Sequence, residues 1–270
     1  MMNSRKLVHF FGLKRSGNHA ITNWIIKNVE ADNSGVSYFN NVIDPFSNDG
    51  KILKRPFKKI KDIIDNQKGG PKQLTIITYE DYSLKNIKTA ITIKNQRKIM
   101  KKGVISNILL IRDPFNTFAS RMKRIENLDK EGLKRPIQNV EWPKVISLWK
   151  QYAKEYLGIT NYLERKIIVN YNNWTSDKSY RDKKLKEIGH KNMDLGIETV
   201  PNQGHGSSFD LLSKDGNASS MKVLERWEEF KNIKKYRDLF RDKEIKTLSE
   251  KIFGQIKGTE EIFSSNRKNQ

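Results

Sequence analysis

Two cations and two glycines share one turn of this chain, and the chemistry they suit is the holding of a phosphate group. The turn is Gly12-Leu13-Lys14-Arg15-Ser16-Gly17-Asn18-His19. Before it, Leu7 to Phe11 is apolar and partly aromatic, the pattern of a short buried strand. After it, Ala20, Ile21, Trp24, Ile25 and Val29 recur at helical spacing. Gly12 and Gly17 let the backbone turn and approach a ligand closely. The amides and the dipole at the start of the helix favour an anion. The phosphate loop G-x-x-x-x-G-K-[ST] has the same glycine spacing, but Asn18 and His19 stand where its lysine and Mg²⁺-holding hydroxyl belong. Here the positive charge lies inside the loop, on Lys14 and Arg15. Such a loop suits a 5′-phosphate held without a metal. The alternative is a basic strand-to-helix turn that holds nothing.

A second segment bears on the same chemistry. Asn107 to Ile111 is an apolar run that ends in Arg112-Asp113-Pro114-Phe115-Asn116-Thr117-Phe118-Ala119-Ser120-Arg121. Pro114 suits the first turn of a helix, and Asp113 can cap its amides. Phe115, Phe118, Ala119 and Met122 form its apolar stripe. Arg112 then sits at the carboxyl end of a strand, where open α/β sheets bind ligands. Its alternative role is a salt bridge that orients Asp113.

Together these residues resemble the sulfotransferase family that uses 3′-phosphoadenosine 5′-phosphosulfate (PAPS). In that family a first strand leads into Lys/Arg-Ser-Gly-Thr-Thr, which binds the 5′-phosphosulfate; Arg15-Ser16-Gly17-Asn18-His19 falls on that pattern. A later strand ends in Arg-Asp/Asn-Pro, with a Ser eight residues after the Arg, and this Arg and Ser bind the 3′-phosphate. Arg112, Asp113, Pro114 and Ser120 match in order and spacing. Asn18 and His19 depart from the two hydroxyl residues, so the phosphate contacts there change in detail. Gly204-His205-Gly206-Ser207-Ser208-Phe209, followed by Met221 to Trp227, looks like a divergent form of the family's Gly-rich loop and Trp-containing segment. The family's Arg-Lys-Gly run is absent. The resemblance spans roughly residues 5 to 230, and its specificity lies in the two short motifs.

The resemblance implies transfer of a sulfuryl group from PAPS to a hydroxyl or amine, leaving adenosine 3′,5′-bisphosphate. It implies nucleotide contacts from Lys14, Arg15, Ser16, Gly17, Asn18, His19, Arg112, Ser120, Gly206 and Ser207. Arg15 and Lys14 would act on the leaving phosphate, arginine by charge and fork geometry. The family places its base at the end of the third strand, here Thr78-Tyr79-Glu80. Glu80 is the first candidate, with a helix cap or a lysine pair as its alternative role. His19 and His205 are further candidates; His9, among bulky strand residues, reads as structural. None of the four histidines has metal-ligand spacing with another, so no metal is expected. A nucleotide-dependent kinase of related fold is the competing reading, weakened by the residues after Gly17. A catalytically inactive nucleotide-binding protein is another.

These residues need a scaffold. Gly35 to Asn40 and Leu74 to Tyr79 read as strands, and Lys166 to Tyr171 as another. Helical patterns cover Trp142 to Arg165, Asp177 to Gly189, Ser219 to Lys231 and Lys243 to Phe253. Asp44 to Pro71 is lysine-rich with helical spacing, and Tyr82 to Met100 a helical or mixed connection. Lys123 to Val140 reads as a mobile insertion; it and Asp44 to Pro71 would shape the acceptor pocket. Strands alternating with helices predict an α/β fold: a mainly parallel sheet flanked by helices in a P-loop-like three-layer sandwich. One domain is expected over residues 1–254, with a polar, disordered tail over 255–270.

The composition bounds the rest. The chain has 270 residues, 36% of them hydrophobic, and no cysteine, which excludes disulfides and a thiolate nucleophile. No apolar stretch reaches membrane-spanning length, and the amino terminus runs straight into the first strand, so a cytoplasmic protein without a signal peptide is expected. The formal net charge of +21 favours anionic partners. The lysines are dispersed and no nucleic-acid motif is present, so the expected partner is a small-molecule or glycan acceptor and not a nucleic acid.

Overall fold

The computed structural model describes residues 6–31, 35–41, 74–86, 104–130, 140–191, 193–202 and 206–264. Five parallel strands form its sheet: β1 (Lys6–Gly12), β2 (Val36–Phe39), β3 (Leu74–Glu80), β4 (Val104–Ile111) and β5 (Lys166–Asn170), in the order β2-β3-β1-β4-β5. Helices cover both faces, as a buried parallel sheet requires. The expected α/β sandwich is therefore the fold.

The pleat sends alternate residues into two cores. Val8, Phe10, Ile76, Ile108 and Leu110 pack with α1 (Asn18–Glu30). Leu7, Phe11, Ile77, Leu109 and Ile111 pack on the other face with α2 (Pro114–Lys130) and α3 (Trp142–Tyr156). The chain thus leaves β1 over one face and β4 over the opposite face. Between two such neighbouring strands the carboxyl ends open into a crevice, which is where ligands bind in this class of sheet. His9 is wholly buried on β1, with Nδ1 3.0 Å from the Tyr79 hydroxyl. Burial pushes its pKa down to about 3, which suits the structural role expected of it.

Asp113 caps α2 as expected: its carboxylate accepts from the Asn116 amide at 2.8 Å. Several expectations need correction. The long helix from Trp142 stops at Tyr156. Gly158 takes a left-handed φ of +72°, and the buried Glu155 carboxylate gathers the amides of Tyr162 and Leu163 into a turn before β5. Tyr171 does not extend β5 but opens a short helix, α4 (Tyr171–Ser176). The helix expected over Asp177 to Gly189 is present as α5 (Lys178–Ile188), capped by Asp177 and closed by Gly189.

Residues 219–231 are not a helix but hold 3-10 turns at Ala218–Ser220 and Arg226–Glu229. Their backbone is spent on α2 and on Arg112. Asn116 Oδ1 accepts from the Arg226 amide, Asn116 Nδ2 donates to the Leu224 carbonyl, and Arg112 donates to the Val223 carbonyl. The expected mobile insertion is helical up to Lys130, with Leu128 buried.

A four-residue α6 (Lys234–Arg237) precedes α7 (Lys243–Phe253), the helix expected there. Part of the expected tail is ordered: α8 (Glu260–Ser264) buries Ile262, and the Phe263 ring lies against those of Phe115 and Phe240. Asp44 to Pro71, most of Tyr82 to Met100, and His205 lie outside the described residues. Among the described residues no helix is long and apolar enough to cross a membrane.

Candidate nucleotide-binding site

The turn after β1 is built around one carbonyl. Leu13 O accepts from the Ser16 amide at 3.1 Å, the Ser16 hydroxyl at 2.6 Å and Asn18 Nδ2 at 3.0 Å. Arg15 is held at φ +67°, a left-handed conformation that costs a non-glycine residue about 1–2 kcal/mol. Gly17, at φ +98°, is the N-cap of α1 and carries no capping side chain, and the first turn has no acidic residue. The first amides of a helix have no partner within it, so this end of α1 is chemically suited to an anion.

Asn18 stands where nucleotide hydrolases carry their phosphate lysine, and it is turned away from that role. It is 4% exposed, and its Nδ2 donates both to Leu13 O and, at 2.8 Å, to Glu80 Oε1. Gly12 makes room for it: a Cβ on Gly12 would lie 1.9 Å from Asn18 Oδ1. Gly12 and Glu80 are also paired in register between β1 and β3. Gly12→Ala is therefore expected to destabilise the fold by about 1–3 kcal/mol through overpacking. The cost should shrink in an Asn18→Ala background, where the clashing atom is gone. Denaturant unfolding of the four proteins of this double-mutant cycle checks it, and full additivity would contradict the contact.

Arg112, at the end of β4, closes the other side. It is 2% exposed. Its Nη1 donates to Arg15 O at 3.0 Å and to Ser120 Oγ at 3.2 Å, and its Nη2 to Val223 O. Its Nε is buried without a partner among the described residues. The alternative role for Arg112 does not hold, since the Asp113 carboxylate is occupied by Asn116 and Asn172.

Both elements open on a cavity of about 370 Å³, in the range of small-molecule sites. Lys14, Arg15, Gly17, Asn18, His19, Glu80, Arg112, Gly206 and Ser207 all line it. Two expected site residues do not. The hydroxyls of Ser16 and Ser120 are buried behind the wall, bonded to Leu13 O and to Arg112, and act by holding the loop and the guanidinium. Gly206 O accepts from Arg15 at 3.1 Å, and Ser207 Oγ accepts from Arg226 at 2.9 Å, so this loop joins the site.

Sequence reasoning missed Arg226, Arg124, Tyr171, Trp174 and the lining residues Ile197, Val200 and Pro201 at the apolar end. Arg226 is held by Asp210 at 3.2 Å and lies 4.8 Å from the Phe209 ring centroid. Its place beside a tryptophan in the Met221 to Trp227 run was the available signal. Asp81 is a further missed latch, accepting from the Lys14 amide at 3.0 Å and from Arg121.

Cations crowd this cavity. Burial first and Arg124 next push the Arg15 pKa down to about 10; Glu80 opposes them, and Arg112 and Arg121 add smaller downward pushes. Burial and Arg112 do the same to Arg226, also to about 10. Both stay charged at neutral pH, so the repulsion stands until an anion relieves it. Burial lowers the His19 pKa; Glu80, with Oε1 3.9 Å from Nε2, opposes this, and Arg15 adds to it. His19 is therefore neutral at pH 7. Among the described residues no group of His, Asp and Glu could hold a metal ion. Comparison of the chain with protein-family models, curated proteins and solved structures finds no match.

Proposed function

We propose that this protein is a sulfotransferase that moves a sulfuryl group from PAPS to a hydroxyl or amine of a small-molecule or glycan acceptor. The observation that carries the proposal is convergence. Arg15 and Arg112 lie 97 positions apart in the chain, each in a motif of that family, and they meet through a 3.0 Å hydrogen bond at one cavity.

The residues present fit the donor. Among the described residues the lining carries Lys14, Arg15, Arg112, Arg124 and Arg226 against the carboxylate of Glu80. With Arg226 paired to Asp210, the surroundings stay strongly positive and suit a donor with about four negative charges, about two of them on its 3′-phosphate. The Nε of Arg112, unpartnered among the described residues, is a donor available to the ligand. Lys14, Arg15 and the first amides of α1 would hold the 5′ end, and Arg112 and Arg226 the 3′-phosphate. Trp174, Ile197, Val200 and Pro201 offer an apolar end to the base.

Bound PAPS would supply the sulfuryl group and a bisphosphate leaving group. Arg15 and Lys14 stabilise negative charge at the 5′ end of the cavity. Glu80, fixed by Asn18, accepts a proton from the acceptor. Neutral His19 is the other proton acceptor in reach of the same space. The kinase reading is disfavoured because Asn18 is spent on Leu13 and Glu80.

Arg112→Ala tests the assignment. It should weaken binding of adenosine 3′,5′-bisphosphate about ten- to a hundredfold, the worth of a charge-assisted contact of about 1.5–3 kcal/mol. Adenosine 5′-monophosphate should lose far less. Titration calorimetry reads both; equal losses would make Arg112 a structural residue only.

A further inference from the structure

We propose that Tyr171 is a positioning residue that fixes the separation of the two anion-binding elements, the Gly17 turn and Arg112, and so selects a nucleotide carrying two separated phosphates over one carrying a single phosphate. The proposal rests on the donor reading above and goes beyond it, since no motif pointed to this residue.

Topology puts Tyr171 there. Asn170, the last residue of β5, is paired with Ile111, the last of β4. Tyr171 and Arg112 follow them, side by side at the strand ends. The Asn170 side chain accepts from the Asn172 and Asn173 amides, which starts α4 and fixes the direction in which Tyr171 leaves the sheet.

The ring is wedged between the two elements. On one side it lies flush on the turn: a Cβ on Gly17 would sit 2.1 Å from Tyr171 Cε2 and 2.4 Å from Cδ2. Against its face, the Arg112 guanidinium carbon is 5.0 Å from the ring centroid, a cation–π contact. Behind it the Trp174 ring stacks at 5.7 Å, and Trp24 meets Trp174 edge-on at 6.0 Å. Tyr171 is 6% exposed and Trp24 wholly buried, so packed aromatic rings back the Tyr171 ring on the side of Trp174. It also supplies the negative π face that Arg112 needs beside Arg15 and Arg226.

A ligand with two phosphates must meet both elements at once, so its affinity depends on their separation. A ligand with one phosphate does not feel that separation. Removing the ring's face therefore changes the ratio of the two affinities, whereas general loosening changes both together.

The test uses the full chain with adenosine 3′,5′-bisphosphate and adenosine 5′-monophosphate as probes, titrated calorimetrically against wild type, Tyr171→Phe and Tyr171→Met. Phenylalanine keeps the face and should keep the wild-type ratio within about twofold. Methionine fills space without a π face and should cut the ratio about tenfold, the worth of a desolvated cation–π contact. A Tyr171→Met protein that keeps the wild-type ratio overturns the proposal, whatever happens to the two affinities. Tyr171→Leu also removes the π face without touching the turn and should lower the same ratio, so it decides the question if Tyr171→Met does not fold. A wild type with no preference for the bisphosphate overturns the donor reading itself, and the Tyr171 proposal with it.

Discussion

Glu80→Gln is expected to lower turnover about a hundred- to ten-thousandfold, the usual contribution of a general base. Nucleotide affinity should stay close to wild type. Glutamine keeps the shape and an oxygen for the Asn18 amide, whose 2.8 Å bond holds the Glu80 carboxylate against the cavity. Only the proton acceptor is lost. Release of adenosine 3′,5′-bisphosphate from PAPS, measured across a panel of hydroxyl acceptors, reads the first quantity, and calorimetric titration with the bisphosphate reads the second. A variant that keeps most of its turnover would move the base to His19. That residue is neutral at pH 7 because burial and Arg15 outweigh the pull of Glu80.

Arg15→Ala should act on the rate more than on binding. In the proposed transfer the charge it faces would grow as the bond to the leaving phosphate breaks, which would make the contact stronger in the transition state than in the ground state. Loss of one such donor costs about a hundred- to a thousandfold in turnover. The side chain also donates to Gly206 O, and part of the loss will come from the loop it holds. Arg15→Lys keeps the charge without the fork and should recover some rate. Equal losses in turnover and in bisphosphate affinity for Arg15→Ala would remove it from the chemistry and leave it a binding residue.

The parts of this site that follow from local chemistry were legible in the sequence. The glycine-bounded turn, the strand before it and the helix after it carry their own periodicities, and so does the Arg112 strand end with Asp113 and Pro114. Glu80 was reachable because it ends an apolar β-branched run at the place where the family the chain resembles carries its base. What the sequence hid were residues joined to the site through long-range packing. Tyr171 read as the last residue of a strand, since nothing local tells a strand end from a one-turn helix capped by Asn170. Residues 219–231 showed helical spacing, yet the Asn116 and Arg112 side chains claim that backbone and leave two 3-10 turns. Ser16 and Ser120 were found by spacing, but spacing does not say which way a hydroxyl points. Both turn inward and hold the groups that face the cavity.

The most direct test is a nucleotide panel on the unmodified protein: adenosine 3′,5′-bisphosphate, ADP and ATP, each titrated with and without Mg²⁺. Lys14, Arg15, Arg112 and Arg226 around one cavity, with the Asn18 amide committed to Leu13 O and Glu80, predict that the bisphosphate binds more tightly than ADP or ATP and that Mg²⁺ does not strengthen it. Tight binding of ATP that depends on Mg²⁺, with weak binding of the bisphosphate, would contradict the account and make the protein a nucleotide-triphosphate enzyme or sensor.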